Sequence, residues 1–230
     1  MKKSNKILLG GFLVVILLIT GIHITLYAKY KSGYYTIYKP EDKNNQASMQ
    51  SFPNVSNVVV RDCGAKIEFG STLSIDKGNR YFIQYEQRGD SLVISVRDSE
   101  DKRVRRGGVH LVLPADVTVS AFNSDISCDN VNDSANIHPA FFLDHSDISF
   151  RSPGKSSVLG HVKVNAWNSS GVYFLGNAVV SHLEVELKNS SLEYHDGEIG
   201  QLSIATDSSS QLTLQSKHLL KAKITSIPNN

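Results

Sequence analysis

A polar turn followed by an apolar residue recurs five times in the second half of the chain. The copies are Asn123-Ser124-Asp125-Ile126, His145-Ser146-Asp147-Ile148, Ser169-Ser170-Gly171-Val172, Asn189-Ser190-Ser191-Leu192 and Ser209-Ser210-Gln211-Leu212. Subtracting residue numbers, the steps from Ile126 to Ile148, Val172, Leu192 and Leu212 are 22, 24, 20 and 20 residues. Most copies follow a short alternating run, at 117–119, 162–164, 183–187 and 202–204. Strand, polar turn and strand within about 20 residues make one coil of a β-solenoid. A single coil is too thin to bury its own apolar face, so coils must stack. Asn, Ser and Asp suit the corner because their side chains bond nearby backbone in tight turns, and stacked copies form polar ladders. A β-sandwich also has turns, at intervals of about 8–12 residues, but it does not require five of them to keep one phase. The pattern therefore predicts an all-β, single-stranded β-solenoid with β-helix-like coils of about 20 residues.

Earlier in the chain the alternation is present without the repeat. Residues 58–60, 65–69, 81–85, 92–96 and 109–113 read as strands, separated by turn-rich pieces such as Asp76-Lys77-Gly78-Asn79 and Arg88-Gly89-Asp90. Arg88-Gly89-Asp90 matches an integrin-binding tripeptide, but a hairpin turn accounts for it.

Ahead of the strands, residues 7–28 carry no acidic residue, Lys or Arg, and about 20 apolar residues span a bilayer core as a helix. His23 and Thr25 fall near its end, and Tyr27 and Tyr30 suit the interfacial aromatic belt. Lys2, Lys3 and Lys6 favour a cytoplasmic start, against Lys29 and Lys31 on the other flank. A cleaved signal peptide has a shorter apolar region and small residues at its cleavage site, whereas Leu26-Tyr27-Ala28 places a bulky Leu there, and no Cys follows the run as a lipoprotein needs. The expected organisation is a cytoplasmic tail over 1–6, a transmembrane anchor over 7–28, a polar linker over 29–52 and a β-solenoid domain over 53–230. The expected location is a bacterial inner membrane, crossed once, with the C-terminal domain periplasmic or facing outward.

Composition excludes more than it selects. Of 230 residues, 40% are hydrophobic and 20% charged, which fits a globular body. A formal charge of +2 lacks the basic excess of a nucleic-acid binder. Two cysteines, Cys63 and Cys128, are too few for a disulfide framework or a zinc site; one bridge or two separately buried thiols both remain open. His138, His145, His161, His182, His195 and His218 fall in the repeat half with no HxH or HxxxH pair, and surface histidines explain them better than a metal centre. The basic run Lys102, Arg103, Arg105 and Arg106 suits a solvated hairpin loop or an anionic headgroup. No Ser nucleophile motif, phosphate loop or dinucleotide fingerprint is present, so no cofactor is expected.

The candidate binding residues lie at the corners. Asp125 and Asp147 occupy equivalent positions, so a solenoid would set them about 5 Å apart, where like charge raises one pKa. Carboxylate pairs serve glycosidases, but Asp is also an ordinary turn former. Trp167, the sole tryptophan, would stack on a sugar ring if exposed and join the core if buried. Asn168 beside it and Asn189 in the next repeat complete the set.

Three passages carry a family resemblance: Val58-Val59-Val60-Arg61-Asp62-Cys63-Gly64-Ala65-Lys66-Ile67-Glu68-Phe69, then Arg88-Gly89-Asp90-Ser91-Leu92-Val93-Ile94-Ser95-Val96, then Val109-His110-Leu111-Val112-Leu113-Pro114-Ala115-Asp116-Val117-Thr118-Val119-Ser120. Over roughly residues 54–227 the chain resembles the auto-transporter adhesin head domain, or GIN domain, family of adhesin-like repeat proteins of Bacteroidota. The family's Gly-rich turns are mostly Asn and Ser here. The resemblance implies a periplasmic or surface β-solenoid that binds, and it lends no catalytic residues. The expectation is thus a non-enzymatic envelope protein presenting the solenoid to a glycan or protein partner. The alternatives are a polysaccharide-active β-helix lyase or hydrolase and a structural subunit of an envelope complex. Short links such as 176–180 and 195–198 favour the first, because β-helix enzymes build clefts from long loops.

Overall fold

The computed structural model describes residues 3–31, 49–76, 83–96, 108–129, 137–152 and 158–228, and the chain divides into two compact units, Met1–Asn45 and Gln46–Asn230. The first unit contains helix α1 (Lys3–Lys31). Within it, Gly10–Lys29 is long and apolar enough to cross a membrane. Its polar side chains turn back on their own helix: Thr20 Oγ1 donates to the Ile16 carbonyl and Thr25 Oγ1 to the Gly21 carbonyl, each at 2.8 Å, and His23 Nδ1 lies 2.8 Å from the Ile19 carbonyl. In hydrocarbon, where water cannot help, bonding to the i−4 carbonyl is the cheapest way to satisfy such groups.

The second unit is the solenoid. Its regular part runs from β8 (Thr118–Phe122) and β9 (Asp125–Asp129) through β10 (Ala140–Asp144), β11 (Asp147–Ser152), β12 (Val158–Trp167), β13 (Gly171–Gly176), β14 (Val179–Lys188), β15 (Ser191–Tyr194), β16 (Glu198–Thr206) and β17 (Gln211–Leu214). Odd strands stack in parallel as one sheet and even strands as the other. Each even strand turns a tight corner into the odd strand that follows. Alternation sends every second side chain inward: Val162, Val164 and Ala166 of β12 are fully buried, while Lys163 between them is exposed. The unequal steps of the repeat arise in the return links between odd and even strands and in one extra corner residue before β13 and another before β17.

The N-terminal part does not follow this order. Strands β1 (Met49–Ser51), β2 (Asn57–Arg61), β3 (Gly64–Phe69), β4 (Ser74–Asp76), β5 (Ile83–Arg88), β6 (Ser91–Val96) and β7 (Gly108–Leu113) join the same two sheets. The coil β2–β3 sits in the middle of the stack, with β6 and β8 flanking β2 and β7 and β9 flanking β3, all parallel. The chain makes one coil, leaves through β4 and β5, returns beneath that coil as β6 and β7, and then crosses it through 114–117 to begin β8. Val117 in this crossing is buried, and the Thr118 N–H donates to the Ser56 carbonyl at 3.0 Å.

Antiparallel strands close this end: β1 on β4, β4 on β7, and β5 on β6. Met49–Ser51 and the buried Phe52 thus belong to the body, although they fall in the stretch read as linker. Arg88 faces Ser91 across the β5–β6 hairpin, and Gly89 takes φ 63°, so Arg88-Gly89-Asp90 is a turn. Helix α2 (Ser216–Leu219) and β18 (Ala222–Ser226) close the other end. Inside, Phe150 stacks on Phe174 at 4.5 Å and Phe174 on Tyr194 at 4.8 Å, and the ring of His218 covers Tyr194 at 4.8 Å. His218 is therefore core, not the surface residue its sequence context suggested. The basic run at 102–106 and the polar stretch at 39–46 lie outside the described residues.

Candidate functional site: the stacked corner

The corners align into three columns along the stack. The innermost is a serine ladder. The Ser124 N–H donates to Ser146 Oγ (3.0 Å), Ser146 to Ser170 (3.1 Å), Ser170 to Ser190 (3.2 Å) and Ser190 to Ser210 (3.2 Å). Each hydroxyl then donates within its own corner, Ser146 to the Asp144 carbonyl at 2.9 Å and Ser190 to the Lys188 carbonyl at 3.0 Å. Ser124, Ser146, Ser170 and Ser190 are buried. Small residues with one donor and two acceptor sites fit here because the corner backbone would otherwise leave N–H groups unpaired. Cys63 takes the serine position in the inserted coil, and its N–H donates to Ser124 Oγ at 3.4 Å. Cys63 and Cys128 are both buried free thiols, not a bridge. Burial, the dominant effect, pushes Cys63 up to about 11, against a backbone hydrogen bond at Arg61 that lowers it, and burial also raises Cys128.

The corner tips form the second column: Asp62, Asn123, His145, Asn168 and Asn189, all with φ between 49° and 56°. Such left-handed geometry costs most residues 1–2 kcal/mol but suits Asn and Asp. Carboxylates at or beside the tips take hydrogen bonds from neighbouring coils. Asn123 Nδ2 donates to Asp62 Oδ1 at 2.6 Å and Asn168 Nδ2 to Asp144 Oδ1 at 2.8 Å, while the Asn189 N–H donates to Asp207 Oδ2 at 3.0 Å.

The third column starts the odd strands: Asp125, Asp147, Gly171, Ser191 and Gln211 are successive register partners. Between the second and third columns lies a shallow polar groove. One section, of about 210 Å³, includes Asp62, Asn123, Asp125, His145 and Asp147; the next, of about 330 Å³, includes Tyr173, Asn189, Ser191 and Gln211, and the two share Asp147 and Ser169. No Lys or Arg lines either section. Partial enclosure raises the Asp147 pKa first; a hydrogen bond from the Gly171 backbone opposes this and the Asp125 charge reinforces it. At Gly171 the absent side chain leaves room for the Tyr173 hydroxyl and the Asp147 carboxylate, both of which would have to shift to admit a Cβ.

Asp125, Asp147 and Asn189 therefore share the groove, whereas at the corner of Asn168 it is Ser169 that lines it. Trp167 lies on the other flank of the corner. It is half-buried on the outer face of the even sheet, its ring 4.9 Å from Phe142 and Lys188 Nζ 4.5 Å above its face. Arg61 covers Phe122 in the same way at 4.6 Å. Trp167 is thus neither an open platform nor core. Sequence reasoning missed Asp144, which holds Asn168 from one coil and His145 from its own at 2.9 Å, and Tyr173, whose hydroxyl fills the gap over Gly171. A signal existed for Asp144 in its alignment with Phe122 and Trp167 just before each corner; none existed for Tyr173. Among the described residues, no group of three or more His, Cys, Asp or Glu gathers as a metal centre would require.

No protein-family model matches this chain, and no curated protein matches it.

Proposed function

We propose that this chain is a membrane-anchored, non-enzymatic envelope protein of the adhesin-like kind, with α1 as its single membrane span and the solenoid outside the cytoplasm binding a glycan along the stacked corner. The observation that carries the reading is the groove itself. Exposed amide, hydroxyl and carboxylate groups repeat at coil spacing on a backbone made rigid by a buried hydrogen-bond ladder. Sugar hydroxyls need this mixture of donors and acceptors, and preorganisation lowers the entropic cost of meeting them. The resemblance to the GIN domain family supports the same reading, as does an apolar N-terminal helix of membrane-spanning length.

One feature favours an enzyme instead: Asp125 and Asp147 are neighbours, and Asp147 holds its proton more tightly than an ordinary carboxyl. Retaining glycosidases use two carboxyls about 5 Å apart that flank the scissile bond. Here both start adjacent parallel strands of one sheet, side by side rather than facing, which is poor geometry for flanking a bond.

The test is a polysaccharide panel on the full chain in lipid nanodiscs, reading bound glycan and released reducing ends together. Binding without product is the expected result. Product that disappears in Asp147→Asn would replace this reading with the hydrolase.

A further inference from the structure

We infer that the corner groove takes an uncharged, extended β-1,4-linked glycan lying along the solenoid axis, one sugar per coil. This rests on the glycan reading above and narrows it. The groove presents polar groups along the strand steps, about 4.8 Å apart, and at Gly171, the one step of this run without a side chain, the Tyr173 hydroxyl stands in. A ligand that meets them in succession must advance by nearly that distance per unit. An extended chain of β-1,4-linked pyranoses advances by nearly that distance per sugar, with successive sugars turned over so that they offer alternating edges to the groove, whereas β-1,3 and α-1,4 chains coil away from a straight line. A peptide strand rises about 3.4 Å per residue and falls out of phase within two coils.

Charge narrows the class further. With Asp62, Asp125 and Asp147 on the groove and no Lys or Arg lining it, uronic or sulfated glycans are repelled. The groups beyond Asp147 are neutral: the Tyr173 hydroxyl, Asn189, Ser191 and Gln211. Both ends of the run are visible in the third column. Beyond Asp125 come two successive glycines, Gly64 and Gly108, whereas the single glycine within the run, Gly171, has the Tyr173 hydroxyl over it, and the run reaches Gln211 four coil steps from Asp125. Four steps cover about 19 Å, room for about five sugars.

The test titrates the full chain in nanodiscs with length series of cello- and chito-oligosaccharides, beside laminari-, malto- and oligouronate series. Affinity is expected to climb with β-1,4 chain length to about five sugars and then level off. Asn189→Gly removes an amide while keeping a residue at ease with positive φ. It should weaken the longest oligomer about tenfold, the worth of roughly one hydrogen bond. Asp147→Asn should leave the chain folded and change affinity for the same oligomer. Equal or better binding of β-1,3, α-1,4 or uronate chains sinks this inference and leaves the glycan reading standing. β-1,4 binding indifferent to length, or to both substitutions, removes it from the groove. If no series binds, both readings fail.

Discussion

Residues 118–214 and residues 57–113 build the same two sheets by different rules. In the first region chain order is stack order, and each coil rests on the one made before it. In the second, the earliest coil, β2–β3, is enclosed by β6–β7 on one side and β8–β9 on the other. The contrast shows that a solenoid's repeat reflects nearest-neighbour stacking, not the order of synthesis. Burying β2–β3 on both sides also alters what the end of the stack must withstand. The terminal coil at this end is covered by antiparallel strands, β5 on one sheet and β4 with β1 on the other.

Core truncation breaks the comparison most strongly. Ile67 of the inserted coil is fully buried between two neighbours, whereas Leu212 packs at the last coil and is half-buried. Ile67→Ala should cost about 2–5 kcal/mol and Leu212→Ala clearly less, measured by urea denaturation. Equal costs would mean that the inserted coil is not held more firmly than the end. The serine ladder gives the next largest effect. Ser146→Ala strands the Ser124 N–H and should cost about 1–3 kcal/mol. At the sulfur-bearing rung, Cys63→Ser should shift stability by less than about 1 kcal/mol, and a large loss there would show that the inserted coil does not share the ladder.

Corner geometry comes third. At Asn189, with φ 50°, replacement by Val should destabilise by about 1–2 kcal/mol relative to replacement by Gly. Thermal melts of the two variants would read the difference directly, and identical melts would show that the left-handed tip is not imposed on the chain. The smallest effect belongs to the far cap. Burial, with Lys217 and Lys221 adding to it against Glu198 and the Gly197 backbone, lowers the His218 pKa below its usual 6.5. A lowered folded pKa means that the unfolded chain takes up the proton first. Stability is then complete above about pH 6.5 and falls as pH drops towards the folded value. His218→Phe should flatten that part of the pH profile of stability, read as urea midpoints over that pH range, and an unchanged slope would show that His218 does not carry it.

The regular stack was legible because its rules are local. Alternation marks the strands, and Asn-Ser, His-Ser or Ser-Ser, followed by one residue and then an apolar one, marks each corner. Asp125 and Asp147 could be placed side by side from phase alone, and the register agrees. The inserted coil was not legible. Residues 58–60 and 65–69 read correctly as strands, but nothing near them states that β6 will slide beneath and β8 above. Trp167 was equally opaque: its place just before a corner is visible in sequence, whereas the cover of its ring depends on Lys188, a coil away.

What the sequence by itself determined is whatever one segment decides alone: an apolar helix of membrane-spanning length, two-residue alternation, and turn chemistry that tolerates positive φ. Tertiary structure decided which segments lie next to one another, because parallel strands reach their partners only through distant register. That stacking placed Cys63 in a column of serines, drew His218 into the core against Tyr194, and set Asp147 of one coil and the Tyr173 hydroxyl of the next over Gly171. Each outcome depends on the shape and hydrogen-bonding needs of a neighbouring coil some 20 to 60 residues away, and no local pattern carries that information.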